Sequence, residues 1–383
     1  MRKKLTGILG ALALGWFSLP ASAQVPPPQV MPAAQQIPQP IQGNQPQESP
    51  PPTTNGVFPA VVVPGPVPQS GEACCNNNNI ANNDQHHSFW SGTWSVGGGA
   101  YYLFPFFSSN PAYFTTTTPG GRTTNSQHDF NNQGNGAPLA FLSYTFENGI
   151  GIQGRWFRYE GSTSTSGNLD GNTGISDGSG NSLGTPGAGS HIDVNSQLKL
   201  NVIDLELTQK WVFGCWWLQA TGGVRYAYIY EGYQMNVTDP VNGNASSSSS
   251  HTFNGFGPTI SFEVHRRLWD SAFGVYGSAR GSLLFGTLSE NFQITSPLVA
   301  NAAGSNNSTS IIPVGEVEMG GEWSHCWGRV RIFGQLGVVG QIWGNAGNAS
   351  TGGTLATGSL GNQSTSAANF GFIGGVGRLG IDF

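Results

Sequence analysis

Over residues 89–383 apolar and polar positions alternate in short stretches, separated by segments rich in Gly, Ser, Asn and Thr. In 218–231 the even positions are Leu218, Ala220, Gly222, Val224, Tyr226, Tyr228 and Tyr230, and the odd ones include Gln219, Thr221, Arg225 and Glu231. In 273–285 Phe273, Val275, Ala279, Leu283 and Phe285 lie opposite Tyr276, Ser278, Arg280 and Ser282. In 329–342 Val330, Ile332, Leu336, Val338 and Ile342 share one parity, and Arg329, Arg331, Gln335 and Gln341 the other. A period of two sends successive side chains to opposite faces of a β-strand. Each such strand thus has an apolar flank and a polar one.

Seven further segments follow the pattern less strictly, near 92–104, 137–147, 150–160, 192–211, 253–265, 311–323 and 369–383, for ten in all. The fourth changes phase: Leu198, Leu200 and Val202 have one parity, Leu205 and Leu207 the other. A bulge at Val202–Ile203 is the expected remedy.

The connections alternate in length. Short ones fall at Asn148-Gly149, 213–216, 266–271 and 324–328, and long ones near 105–136, 161–191, 232–252, 289–310 and 344–368. In an antiparallel meander this puts all short turns at one end and all long loops at the other, the asymmetry of a transmembrane barrel. Trp94, Phe146, Trp211, Trp216, Trp269, Trp323, Trp327 and Phe383 gather toward the short-turn end, and Tyr102, Phe104, Trp156, Tyr228, Tyr230, Phe285 and Trp343 toward the other. Two aromatic girdles are expected where such a barrel crosses its lipid interfaces. The fold expected is an all-β, transmembrane, antiparallel up-and-down β-barrel of about ten strands, closed by pairing the last strand with the first because hydrocarbon cannot satisfy an open edge. Phe383 then sits at the periplasmic rim.

Composition changes the picture in two ways. Charged residues are 9% and aromatics 11% of the chain, with Gly at 57 of 383; a soluble surface carries about a quarter charged residues, and disorder is a poor account of so many rings. The formal net charge of −5 and the absence of a basic stripe exclude nucleic acid as an expected partner.

Before the strands the chain has a different texture. Arg2, Lys3 and Lys4 precede an apolar stretch over 5–19 and the small-residue site Ala21-Ser22-Ala23, the layout of a secretory signal peptide occupying 1–23. Residues 24–70 hold 14 of the 24 prolines and no Lys or Arg, so 24–88 reads as a disordered, proline-rich and polar periplasmic segment, with the barrel over 89–383. That segment is expected to be a spacer or, alternatively, a tether to the cell wall or a partner domain. The expected location is the cell outer membrane, with its lipid as the surrounding partner.

The stretches DLELTQKW, GGVRYAYI, FNGFGPTISFEVHRRL and GVYGSARGSLLFG resemble motifs of beta-barrel porin family 7, a family of bacterial outer-membrane barrels. The resemblance covers about 89–383. It implies a barrel with a porin-like role and carries over no catalytic residue, cofactor or metal. The aromatic-ended last strand, with Leu379, Ile381 and Phe383, also looks like the signal read by the barrel assembly machinery.

With the apolar flank toward lipid, the lumen-lining set is Arg155, Lys199, Glu206, Arg225, Glu231, Glu263, Arg280, Glu316, Glu318, Glu322, Arg329, Arg331 and Arg378, joined by Asp204 and Asp382. Glu322 is expected opposite Arg329. Ten strands lie near the size whose interior side chains fill, so these balanced charges read as a paired network in preference to a constriction. The function expected is a narrow or plugged porin-like channel for small polar solutes; a structural, display or adhesive barrel without conductance is the alternative. A third reading, an extracellular-lip hydrolase, would use His128, His191 and His251, placed in or near long loops, with Asp129 and Asp193. Since position on one side is all that links them, no enzyme activity is expected. Cys74, Cys75, Cys215 and Cys326 are disulfide candidates in an oxidising periplasm, with either member of the adjacent pair able to reach Cys215 or Cys326.

Overall fold

A computed structural model of the chain describes residues 92–268, 271–351 and 368–383. The segments expected to be signal peptide and periplasmic spacer, Cys74, Cys75 and Trp269 lie outside the described residues. In chain order the strands are β1 (Gly92–Phe107), β2 (Pro111–Thr117), β3 (Thr124–Asp129), β4 (Asn135–Phe146), β5 (Ile150–Leu169), β6 (Thr173–Asp177), β7 (Ser182–Gly184), β8 (Ser190–Phe213), β9 (Trp216–Thr238), β10 (Ala245–Arg267), β11 (Phe273–Thr295), β12 (Ala302–Trp327), β13 (Val330–Trp343) and β14 (Phe370–Asp382).

Ten of them form a closed antiparallel barrel in the order β1-β14-β13-β12-β11-β10-β9-β8-β5-β4, with β4 returning to β1. Closure runs from Ser95 opposite Asp382 to Phe107 opposite Phe370, and Trp94 and Phe383 exchange two backbone hydrogen bonds of 2.9 Å. No barrel edge is left for hydrocarbon to meet.

The short connections are tight. In the first, Gly149 takes a positive φ of 80° and its N–H bonds to the Phe146 carbonyl at 2.9 Å. Gly214 and Gly328 have positive φ in the turns after β8 and β12. Arg329 is therefore an exposed turn residue and does not line the lumen. Glu322 lies opposite Gln335, deeper in the hairpin than the pairing expected with Arg329.

The outer face carries the apolar parity. Val224 is 51% and Leu336 75% exposed, and Leu205, Leu207, Phe256, Leu283, Ile311 and Leu379 also point outward. At the other end of this band the outward positions turn polar, through Asn201, Asn254, Thr287 and Thr309 and then Lys199, Thr252, Ser289 and Asn307.

The strands do not stop there. A tilted strand crosses the hydrocarbon in about 9–11 residues, yet β8 has 24 residues and β12 has 26. Much of what reads as long loop in the sequence is therefore continued ladder standing above the membrane: 161–169 pairs with 190–198, and 245–252 with 230–237. The segments before β4 and after β5 add a second, four-stranded sheet in the order β3-β2-β6-β7.

The bulge expected at Val202–Ile203 does not occur. β8 keeps one register with both β5 and β9 from His191 to Gln209. Leu198, Leu200 and Val202 face inward, followed on the same face by Asp204 and Glu206. The phase change in the sequence marks a change in the polarity of the interior, and the backbone runs on unbroken.

Candidate functional site

Inward-facing residues form successive layers along the axis. In the inner half, near the short turns, the layer is ionic. Arg225 reaches Asp204 through Nε at 2.7 Å and Nη2 at 3.0 Å. Arg155 binds both carboxylate oxygens of Glu316 at 2.8 Å and approaches Asp204 at 3.3 Å. Arg280 contacts Glu206 directly and lies 3.6 Å from Asp204. Three guanidinium groups thus face three carboxylates, all with side chains no more than 8% exposed. Buried charges survive only when paired in this way.

Closer to the turns a second chain continues the pattern. Arg378 contacts Glu318, which also accepts the Tyr276 hydroxyl at 2.8 Å. His265 meets Glu263 through Nε2 at 2.5 Å and Glu322 through Nδ1 at 3.1 Å. Glu322 also holds Arg331 and accepts from Gln335 at 2.6 Å, while Arg331 reaches Asp382 at 2.8 Å. The Trp217 ring stacks on His265 at 3.6 Å between centroids, and the Lys210 ammonium lies 4.5 Å over Trp217.

Next toward the long-loop end, the interior is apolar. Tyr101, Leu103, Leu139, Phe157, Tyr159, Leu200, Val202, Ile229, Phe253, Leu284, Ile312, Val339, Trp343, Phe370 and Phe372 form one cluster, each 5% exposed or less and contributed by all ten barrel strands. Inward side chains that water cannot touch leave no aqueous path at that depth. Trp343, expected in the outer girdle, is one of the plug residues and fully buried. The parity of β13 brings it inside with Phe333 and Val339.

Beyond the plug lies a titratable cluster. Glu231, His251 and Glu290 stand side by side on β9, β10 and β11, all facing inward and no more than 8% exposed. The Ala349 amide donates to Glu231 at 3.0 Å, and His251 Nε2 is 3.6 Å from Glu290. Gly347, at φ 89°, packs so tightly on the His251 ring that a Cβ there would collide with it. Burial pushes the Glu231 carboxyl up to about 8, only partly offset by that amide, and pushes the His251 imidazole down to about 4. Above this cluster Ala112, Tyr113, Ile175 and Leu183 of the second sheet pack against Ile192, Val194, Tyr233, Met235 and Val237 of β8 and β9. The small sheet caps the extension.

Of the residues predicted to line the lumen, Arg155, Glu206, Arg225, Glu231, Glu263, Arg280, Glu316, Glu318, Glu322, Arg331 and Arg378 sit on the inner face, Glu231 separately from the rest. Lys199 does not. It points outward, 3.8 Å from Glu160, with its ammonium 5.6 Å over the Tyr230 ring. The three histidines considered for hydrolysis share no site: His128 stacks on Tyr113 in the second sheet, His191 bonds Asn168 on the surface at 2.9 Å, and His251 is buried inside the barrel and not in a loop. Cys215 and Cys326 lie near the short turns and form no disulfide among the described residues; their expected partners Cys74 and Cys75 lie outside those residues. Among the described residues no His, Cys, Asp or Glu group is arranged to hold a metal ion. Sequence reasoning did not single out His265 or Tyr276; His265 shares its parity with Ser261 and Glu263, a signal the polar side of β10 already carried.

The family model described as the Legionella pneumophila major outer membrane protein precursor matches residues 90–379. The chain belongs to that family. It is an outer-membrane β-barrel protein, in keeping with the resemblance to a barrel family carried by DLELTQKW and GGVRYAYI. Among solved structures it is similar to the outer membrane protease OmpT from Escherichia coli, at 12% identity over 76% of this chain and 96% of that one, with a TM-score of 0.40. A major outer membrane protein from Thermus thermophilus shares 9% identity over 75% and 99% of the two chains, TM-score 0.31. The Pseudomonas putida toluene transporter TodX shares 7% over 76% and 89%, TM-score 0.26. A comparison with curated proteins finds no match. In this member of the Legionella major outer membrane protein family the interior is ionic toward the short turns, apolar above that, and titratable again at Glu231, His251 and Glu290.

Proposed function

We propose that the protein is a sealed outer-membrane barrel that anchors and presents the long β-extension and its capping sheet outside the cell, with no standing diffusion pore. The observation that supports this best is the apolar layer of Phe157, Phe253, Trp343, Phe370 and Phe372, each 1% exposed or less. A pore for polar solutes needs a hydrated path, and moving an ion or sugar through a dry hydrocarbon layer is prohibitive. The paired charges beneath serve to fill and stiffen the inner half. A porin-like channel closed by its plug is the second reading, favoured by that charged inner half, which gives polar solutes a foothold from the periplasmic side. Three further expectations belong to the same proposal: no catalytic role, an assembly signal at Leu379, Ile381 and Phe383, and a periplasmic spacer at 24–88.

The test is electrical. Protein refolded into planar bilayers, with heat-modifiable gel migration showing the closed barrel, is expected to pass no stepwise current. Stable unit conductance from the folded wild type would overturn the sealed reading; brief rare openings would favour the plugged channel.

A further inference from the structure

The long-loop end carries a feature that the sealed interior leaves unexplained. A groove of about 620 Å³ crosses the outer faces of β8 to β12 above the membrane band. Its floor is small, at Gly232 and Ser248, and its walls carry Gln197, Gln234 and Gln293, with Tyr230 at its lower edge. Among the described residues no charged side chain lines it. Amides and hydroxyls supply paired donors and acceptors, and the Tyr ring adds an apolar face with a polar tip. That chemistry suits a neutral polyol and gives little to a lipid tail or an ion.

Position narrows the occupant. Outward Ile203 lies at the edge of the lipid-facing band on β8, and Lys199 follows one full turn of the pleat beyond Asn201 on the same face. At about 3.3 Å per residue on a tilted strand, Lys199 stands on the order of 10 Å farther toward the exterior than Ile203. Arg158 and Lys199 share a single acid at this height, Glu160, at 3.0 and 3.8 Å. Lys199 lies directly opposite Tyr230 in the ladder, so this net positive spot borders the groove from below. Two cations at headgroup depth with a neutral hydrogen-bonding groove above them match one molecule in both parts: anionic headgroup first, sugars beyond.

We propose that the groove docks the core sugars of an outer-leaflet glycolipid, with Lys199 and Arg158 meeting its headgroup phosphates. The outer leaflet holds such molecules against this face of the barrel, so the glycolipid is within reach without diffusion from solution.

The experiment uses the full chain in a zwitterionic detergent, freed of endogenous lipid, with core-bearing rough lipopolysaccharide and lipid A as the two probes and native mass spectrometry as the readout. Wild type is expected to bind the core-bearing probe at least tenfold more tightly than lipid A. Ser248→Trp fills the groove from an exposed position and is expected to bring the core-bearing probe down to the lipid A level, leaving lipid A binding intact. Lys199→Ala with Arg158→Ala is expected to weaken both probes several-fold and to flatten their salt dependence. Gln293→Ala, a milder change, guards against misfolding of the Trp variant and should lose a few-fold for the core-bearing probe alone. Equal affinity for the two probes, or an unchanged core preference in a correctly folded Ser248→Trp barrel, would overturn the proposal.

Discussion

Asp204 is the position whose removal tests the inner network most directly. Its carboxylate is fully buried and takes nitrogen atoms of Arg225, Arg155 and Arg280 at 2.7, 3.3 and 3.6 Å. At an effective dielectric constant of about 20, each contact has a gross Coulomb energy of about 5 kcal/mol. Desolvation of each ion offsets several kcal/mol of that, so the measurable cost of deleting one partner falls to about 3–5 kcal/mol. Asp204→Asn keeps the shape and leaves three guanidinium groups facing two carboxylates, Glu206 and Glu316. Urea unfolding of the barrel in phospholipid vesicles is therefore expected to show a loss of about 3–5 kcal/mol, roughly two to three and a half decades in the folding constant. The double variant Asp204→Leu with Arg225→Met removes one charge of each sign and restores balance among Arg155, Arg280, Glu206 and Glu316. It is expected to recover most of the loss, because apolar groups of similar volume often replace a buried pair at little cost. A single variant that loses less than about 1 kcal/mol, or a double variant no more stable than the single, would refute the reasoning.

The remaining predictions address the lipid face and the outer cluster. Leu336, 75% exposed and midway along β13, should cost about 2–4 kcal/mol as Leu336→Arg in the same vesicle assay, and a neutral result would place it away from lipid. Glu231, pushed up to about 8 by burial, gives the outer cluster a pH dependence of definite sign. The folded group keeps its proton where the unfolded one, titrating near 4.5, has lost it, so its contribution favours the folded state at low pH and declines as pH rises toward about 8. His251, held down to about 4, acts oppositely below its ordinary 6.5, while Glu290 beside it is also raised by burial and acts in the same direction as Glu231, so from 6.5 to 8 only carboxyls carry the dependence. The protection factor of the Ala349 amide, corrected for intrinsic exchange, should fall across that interval and fall clearly less in Glu231→Gln; a flat wild-type profile, or a fall unchanged in the variant, would contradict the assignment.

How much was legible follows from where lipid imposes a signal. Between the short turns and the level of Asn254 and Thr287, hydrocarbon outside and packed side chains inside force a strict alternation, and all ten barrel strands could be read there. Beyond that level both faces of a strand can be polar, as in 246–250 and 305–310, and the period vanishes although the ladder continues. The long extension therefore read as loop. The capping strands are shorter still and rich in Thr and Ser, as in Pro111–Thr117 and Thr173–Asp177. Polar parity points Lys199 inward only where the interior is polar, and at its level the interior is not. In β8 that rule inverts at Val202, where the interior turns apolar and Lys199 takes the outward side with Tyr230.

That inversion has an energetic consequence, because plug and network share a boundary. Phe157 belongs to the plug and neighbours Arg155 on the same face of β5. The Arg155 guanidinium carbon is 5.9 Å from its ring centroid, and Tyr101 packs on the ring edge at 5.6 Å. The plug keeps water off the outer side of the ionic layer, and ion-pair attraction in that layer scales inversely with the local dielectric. Truncating Phe157 would open a gap beside Arg155 polar enough at one wall to admit water. The ions would then be partly resolvated, and each pair would be worth less. A double-mutant cycle of Phe157→Ala with Asp204→Asn is thus expected to be non-additive, with the two losses together smaller than their sum by about 0.5–3 kcal/mol, the range for residues coupled through one network. Strict additivity would mean that the apolar layer merely fills space above an independent set of salt bridges. A sub-additive result would mean that the plug sets the dielectric in which the network operates.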